Sequence, residues 1–518
     1  MTRRFAALLL SLPCLLFART APAELQIPSV IGSHMVLQRE AVAAVWGWHE
    51  PGTAVTVRFR GRKVTATTGK DGKFLIHVPT GKAGGPFTLT VAGSETKTIE
   101  DVLVGEVWLA GGQSNMWWQM MRARDAETEI AAAVNLPAVR FYDGNTHPRE
   151  GGWREEEPKR DIPKARWDVP TEKTVPKWAS TAYFFARDLH AELGVPVGIV
   201  HIAVPGQKIQ LFMDADQTAR NLPGVWAQHE AAVAAHPDKV AAHEKKLAEW
   251  RAQGEESKKP KAPRMPLYEA YWNGMVLPVA PFTVKGIIWW QGESNANEAA
   301  AYEKLLPELA RQWRTLWGNP AMPFIQVELA NFGPPSVPTV SQDAPWPQLR
   351  EAQRRASSDA DGIYLVSVID IKEDPPGEAH WQIHPARKQI AGERLFRAAM
   401  QVAYGETDTP GFGPRLQRAV FEDGRVLLHF DSVGRGLQSG DDEGLTGFGI
   451  AGPDGTFHAA DVETVDNDTL KVSSDELDDI RTVRYNWANN PKGNLVNSEG
   501  MPAGAFEVNS APGPKGDM

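Results

Sequence analysis

Between residues 101 and 405, short apolar runs alternate with longer amphipathic stretches, and this succession restricts the fold more than any other feature of the chain. The runs at 107–109, 197–203, 284–290, 324–329 and 363–370 read as buried strands. The stretches at 125–134, 182–193, 298–317 and 386–403 read as helices, with Gly194 as a stop signal after the second. Strand, helix and strand in succession predict a parallel sheet with helices on both faces. Two segments interrupt the pattern. Residues 148–177 are polar and rich in Pro, Glu and Lys, which reads as a long surface loop or, secondarily, a lid over a site. Residues 226–263 read as an Ala-rich helical insertion, ending in a solvated charged stretch around Lys258-Lys259-Pro260-Lys261.

On either side the periodicity drops to two. In residues 24–100, Val55, Val57 and Phe59 alternate with polar residues, and Asp71-Gly72 precedes Phe74-Leu75-Ile76 as a hairpin signal. From 406 to 518 the same signs return, with Val426, Leu428 and Phe430 after Asp423-Gly424, and Val483 and Tyr485 further on. A load of 46 Gly and 39 Pro in 518 residues suits such turn-rich flanks. The expected organisation is a β module at 24–100, an α/β domain at 101–405 and a second β module at 406–518.

Residues 1–23 have the pattern of a secretory signal: Arg3 and Arg4, an apolar run from Phe5 to Ala18, and Ala21-Pro22-Ala23 as a cleavage site. The run falls short of the ~20 residues needed to span a bilayer. The expected mature chain begins near Glu24, is exported to the periplasm or the medium, and has lost Cys14, the single cysteine. No disulfide within the chain and no multi-cysteine metal site can therefore form. A formal net charge of −9 argues against a nucleic-acid partner or an anionic membrane surface, both of which call for a basic face.

In open parallel sheets, sites form at the carboxyl ends of strands, and three such places carry reactive side chains. The first is Gly111-Gly112-Gln113-Ser114-Asn115-Met116, where two glycines permit a sharp turn and Ser114 is either a nucleophile or a helix N-cap. The second is Gln291-Gly292-Glu293-Ser294-Asn295-Ala296, whose Gly-x-Ser-x-Ala spacing makes Ser294 a rival nucleophile. The third is His384 in Trp381-Gln382-Ile383-His384-Pro385, a candidate base. His380 and His384 lie four apart, but Pro385 and the missing His-Glu-x-x-His pattern speak against zinc.

Together, Gly112 to Met116, the block Trp289-Trp290-Gln291-Gly292-Glu293-Ser294-Asn295-Ala296, and Ile383-His384-Pro385 resemble the sialate O-acetylesterase family of SGNH (GDSL-like) hydrolases. The flanks agree, with Ser33-His34-Met35-Val36-Leu37-Gln38-Arg39 and Val45-Trp46-Gly47-Trp48 before, and Tyr485-Asn486-Trp487 and Gly493-Asn494-Leu495 after. The resemblance implies an SGNH-type three-layer parallel-sheet hydrolase domain between two all-β sandwich-like modules. It implies Ser114 as nucleophile, His384 as general base, no cofactor, and an oxyanion hole from the Ser114 backbone, Gly206 and the Gln291 side chain, with Ser294 structural. The expected substrate is an acetylated carbohydrate, either a sialic acid or a plant polysaccharide.

Two departures stand out. Gln382 occupies the position where the family has an acid two residues before the histidine, so Gln382, Glu378 or Asp374 is expected to orient the ring. Pro205-Gly206-Gln207-Lys208 stands where the family has a Gly-Gly-Thr run. Gln382 also leaves room for a carbohydrate-binding protein with a decayed hydrolase centre. Trp117, Trp118, Trp289, Trp290 and Trp381 gather at the motifs; most read as core or wall, and one or two as platforms for sugar rings.

Overall fold

One long strand, β1 (Thr96–Gly112), joins two of the three parts of the molecule. The computed structural model describes residues 24–144, 157–253, 258–336, 344–371 and 383–510. The first half of β1 pairs antiparallel with Gly84–Ala92, which continues to Ala54–Phe59 and Arg62–Thr67. A second pair, Val42–Trp48 with Lys73–Pro79, packs with these strands. Here the alternation seen in the sequence becomes burial: Val55, Val57 and Phe59 point inward, as do Phe74 and Ile76, while Leu75 stays exposed.

The second half of β1, buried from Val102 to Gly112, enters a parallel sheet. Its neighbours are β2 (Val139–Asp143), β3 (Val197–Ala203), β4 (Gly286–Trp290), β5 (Phe324–Val327) and β6 (Ile363–Val366). They lie in the order β6-β5-β4-β1-β3-β2. Successive side chains along each strand face opposite ways, so adjacent tryptophans belong to different cores. Trp289 packs with Trp313 on one face, while Trp290 and Trp108 lie in the core of the other. The first face is covered by α2 (Ala299–Trp317) and α3 (Pro345–Arg355), the second by α1 (Ser180–Leu193) and α4 (Lys388–Tyr404).

The described part of 148–177 corrects the surface-loop reading. Residues 145–156 lie outside the described residues, but Trp167–Asp168 adds an antiparallel strand beside β2. Ile162, Trp167 and Val175 are buried, and the Trp167 indole donates to Val30 O at 2.8 Å. A two-residue strand among charged neighbours has too little periodicity to read. Of the insertion, His236–Ala252 is a helix with no buried residue.

Beyond Tyr404 come two four-stranded antiparallel sheets. One holds Arg415–Glu422, Arg425–Asp431, Asp461–Thr464 and Thr469–Ser473. The other holds Phe448–Ala451, Phe457–Ala459, Thr482–Tyr485 and Phe506–Asn509. Val426, Leu428, Phe430, Val483, Tyr485 and Phe506 share their core. Among the described residues no helix is long and apolar enough to cross a membrane, and no group of three His, Asp or Glu side chains is placed to hold a metal.

Candidate active site

The strand order changes direction at β1. The chain goes from β1 to β2 and β3 on one side, then to β4, β5 and β6 on the other, so a crevice opens where the carboxyl ends of β3, β1 and β4 meet. Ala203, Gly112 and Trp290 are level across these strands. Gly112 has φ +132, and a Cβ there would lie 2.1 Å from Trp290 O, so only glycine lets β1 turn so close to β4. The turn is pinned on both sides, by Gln113 N to Trp290 O at 2.9 Å and Val204 N to Gly112 O at 2.9 Å.

Ser114 begins a single helical turn, Ser114–Trp117, and does not cap it; Gln113 occupies the cap position. Its hydroxyl instead lies 2.7 Å from His384 Nε2, across 270 residues of sequence. With the ring proton on Nδ1, Nε2 accepts from the Ser114 hydroxyl, which is the arrangement for removing its proton. Ser114 is 9% exposed. Burial, with Lys388 and Arg122 nearby, pushes the His384 imidazole down to about 4. At neutral pH the ring is an uncharged base.

His384 is held by its surroundings. Asn115 Nδ2 donates to Ile383 O at 3.0 Å and to Glu293 Oε1 at 2.6 Å, while Lys388 Nζ donates to Asn115 Oδ1. One amide therefore ties the serine turn, the loop after β4 and the histidine loop together. Lys388 is fully buried with its ammonium 4.3 Å from the centre of the Trp290 ring. Among the described residues Glu293 Oε2 has no hydrogen-bond partner, and burial raises the Glu293 carboxyl above its ordinary value. On the open side, the Trp118 indole stacks on the His384 ring at 4.9 Å and 26°.

The expected site residues separate into groups. Ser114 and His384 meet. Ser294 does not reach the histidine; its backbone N–H donates to Gln113 Oε1 at 3.3 Å. Gly206 lies on the turn after β3 with φ +70, and its carbonyl accepts from Arg264 Nη1 at 3.1 Å. Gln291 is fully buried, and its amide nitrogen already has three acceptors: Gln113 Oε1 at 3.2 Å, Gln207 O at 3.1 Å and Asn295 Oδ1 at 2.8 Å. Asp374, Glu378 and Gln382, with His380 and Trp381, lie outside the described residues. Trp289 and Trp290 are fully buried and form core, while Trp117 and Trp118 are partly exposed.

Sequence reasoning did not single out Lys388 or the stacking role of Trp118. Lys388 carried one usable sign, a position four residues after His384 at the start of a helix. Nothing in the pattern marks the direction of the Trp118 ring.

Residues 239–401 match the family described as carbohydrate esterase, sialic acid-specific acetylesterase. Gln291 and His384 fall inside that span and Ser114 before it. A carbohydrate acetylesterase from Xanthomonas citri is 32% identical, with a TM-score of 0.75 over 94% of this chain and 100% of that one. The chain belongs to the sialate O-acetylesterase family. Members of this family are carboxylic ester hydrolases. Curated sialate O-acetylesterases are also similar: that of Pongo abelii is 27% identical over 440 residues, covering 78% of this chain and 76% of its own. The Homo sapiens enzyme is 26% identical over the same span. The structure brings Ser114 Oγ, at the end of β1, within 2.7 Å of His384 Nε2.

Proposed function

We propose that the protein is an exported serine esterase of the SGNH type that removes O-acetyl groups from a carbohydrate through an acetyl-enzyme on Ser114. The observation that carries this reading is the 2.7 Å contact between Ser114 Oγ and His384 Nε2. Ser114 Oγ attacks the acetyl carbonyl as His384 takes its proton. Collapse of the tetrahedral adduct breaks the bond to the sugar oxygen, and His384 returns the proton to that oxygen. Water, activated by the same imidazole, then attacks the acetyl-enzyme; acetate leaves and the serine proton is restored. The Ser114 and Gly206 N–H groups have no protein acceptor among the described residues, which fits them as oxyanion donors. Gln291 joins them by releasing one of its three acceptors. No cofactor enters the reaction. Export rests on the pattern of residues 1–23.

The substrate is an acetylated sialic acid or an acetylated plant polysaccharide, and acetate release from acetylated sialic acid, xylan and xyloglucan separates them. Ser114→Ala and His384→Ala are each expected to lower the rate by ~10³-fold or more on whichever substrate is turned over. An unchanged rate in Ser114→Ala would refute the reading.

A further inference from the structure

The imidazole of His384 has a second neighbour besides the serine. The Trp118 ring is stacked on it, with ring centres 4.9 Å apart and planes 26° apart. Trp118 immediately follows the helical turn that carries Ser114, so nucleophile and stacking ring belong to one short segment. The indole is fixed at both ends. The Trp118 backbone carbonyl accepts from Ser180 N and Ser180 Oγ, both at 2.8 Å, which anchors the backbone to the start of α1. The indole Nε1 donates to Arg122 O at 2.9 Å, which fixes the plane of the ring. A ring held this way is a fixed plate against which a neighbouring ring takes one orientation.

We propose that Trp118 is a positioning residue for the general base: its indole face aligns the His384 ring on Ser114 and stabilises the imidazolium formed during reaction. The proposal rests on the Ser114–His384 reading above. Stacked aromatic rings have a preferred geometry, and a cation over an indole face is attracted by its quadrupole. That attraction exists only while His384 carries the proton, so it favours the transition state over the resting enzyme. It also acts where the charge most needs compensation. Lys388 and Arg122, the cations nearest the ring, both oppose a positive imidazole. Both also lie within reach of the Trp118 ring, Lys388 Nζ 5.8 Å and Arg122 Cζ 5.7 Å from its centre.

The test compares Trp118→Phe, which keeps a π face, with Trp118→Leu, which keeps apolar bulk alone. Acetate release is measured as kcat and KM separately, normalised to the folded fraction from thermal melting. Trp118→Leu is expected to lose about tenfold in kcat with KM within about twofold, and Trp118→Phe to retain kcat within about threefold. Wild-type kcat in Trp118→Leu, an equal loss in both variants, or a loss confined to KM would overturn the proposal. If Trp118→Leu does not fold, Trp118→Phe decides: near-wild-type kcat supports the role, and a tenfold loss refutes it. Ser114→Ala is run alongside. Activity surviving in Ser114→Ala means that the serine reading has failed, whereas its loss beside an unaffected Trp118→Leu removes the Trp118 role alone.

Discussion

At the scale of single residues, the proposed role of His384 as base makes its protonation decide when the site can work. Its pKa is lowered to about 4 by burial and by Lys388 and Arg122. The base is active when unprotonated, so kcat/KM is expected to stay level from neutrality down to about pH 5 and to be halved near pH 4. The sign for stability follows. The unfolded chain binds the histidine proton near its ordinary value of ~6.5, so this group weakens the fold as pH falls from there towards 4. A pH–rate profile checks the first statement. An acid limb at or above pH 6.5 would contradict it and assign a carboxylate of the Asp374 or Glu378 loop to the ring. Several residue-scale features were legible beforehand. Ser114 and His384 stood at strand ends with reactive chemistry, and their pairing followed from the family resemblance. The commitment of Gln291 to Gln113, Gln207 and Asn295 was not legible, because side-chain direction is set by packing that no linear spacing records.

At the scale of elements, the apolar runs made the strands readable, and the core confirms why. β4 reads as a continuous run because both of its faces are covered, and every residue from Gly286 to Trp290 is buried. Shorter elements gave no such signal. Trp167–Asp168 joins the sheet edge from a polar context, and Ile363–Val366 ends sooner than the run to Asp370 implies. The turn after β1 depends on the absence of a side chain at Gly112. Gly112→Ala places a methyl 2.1 Å from Trp290 O at a φ that alanine avoids, so β1 and β4 must separate where the serine is presented. The expected result is a loss of more than ~2 kcal/mol in urea denaturation, together with a loss of activity in the remaining folded protein. Wild-type stability and turnover would contradict this account of the turn.

At the scale of the molecule, the C-terminal sheets are bound into the sheet that carries the site. Arg350, fully buried on α3, donates to Leu329 O at 2.9 Å and Ala330 O at 3.0 Å on one side, and to Ala488 O at 2.8 Å on the other. Glu328, also buried, accepts from Ala505 N at 2.9 Å. Burial lowers the Arg350 guanidinium to about 10 and raises the Glu328 carboxyl, so each moderates the other's desolvation. The same helix reaches the site, since Gln353 Nε2 donates to Gln291 O at 3.2 Å. Arg350→Met removes the donor from the buried Leu329, Ala330 and Ala488 carbonyls, and is expected to cost about 2–3 kcal/mol of unfolding free energy. A loss below about 1 kcal/mol would show that the two parts stand independently. None of these bonds was legible in the sequence, where Arg350 and Glu328 are two charges among many. Alternating periods set out the separate parts well; their joints depend on contacts between distant segments.

The central claim is that chemistry passes through Ser114. Rapid acid quench of the wild-type enzyme during turnover of an acetylated substrate, followed by mass spectrometry of its peptides, tests this directly. The account predicts one acetyl group on the peptide containing Ser114, and none in Ser114→Ala. An acetyl group on another residue, or continued acetate release by Ser114→Ala, would contradict it.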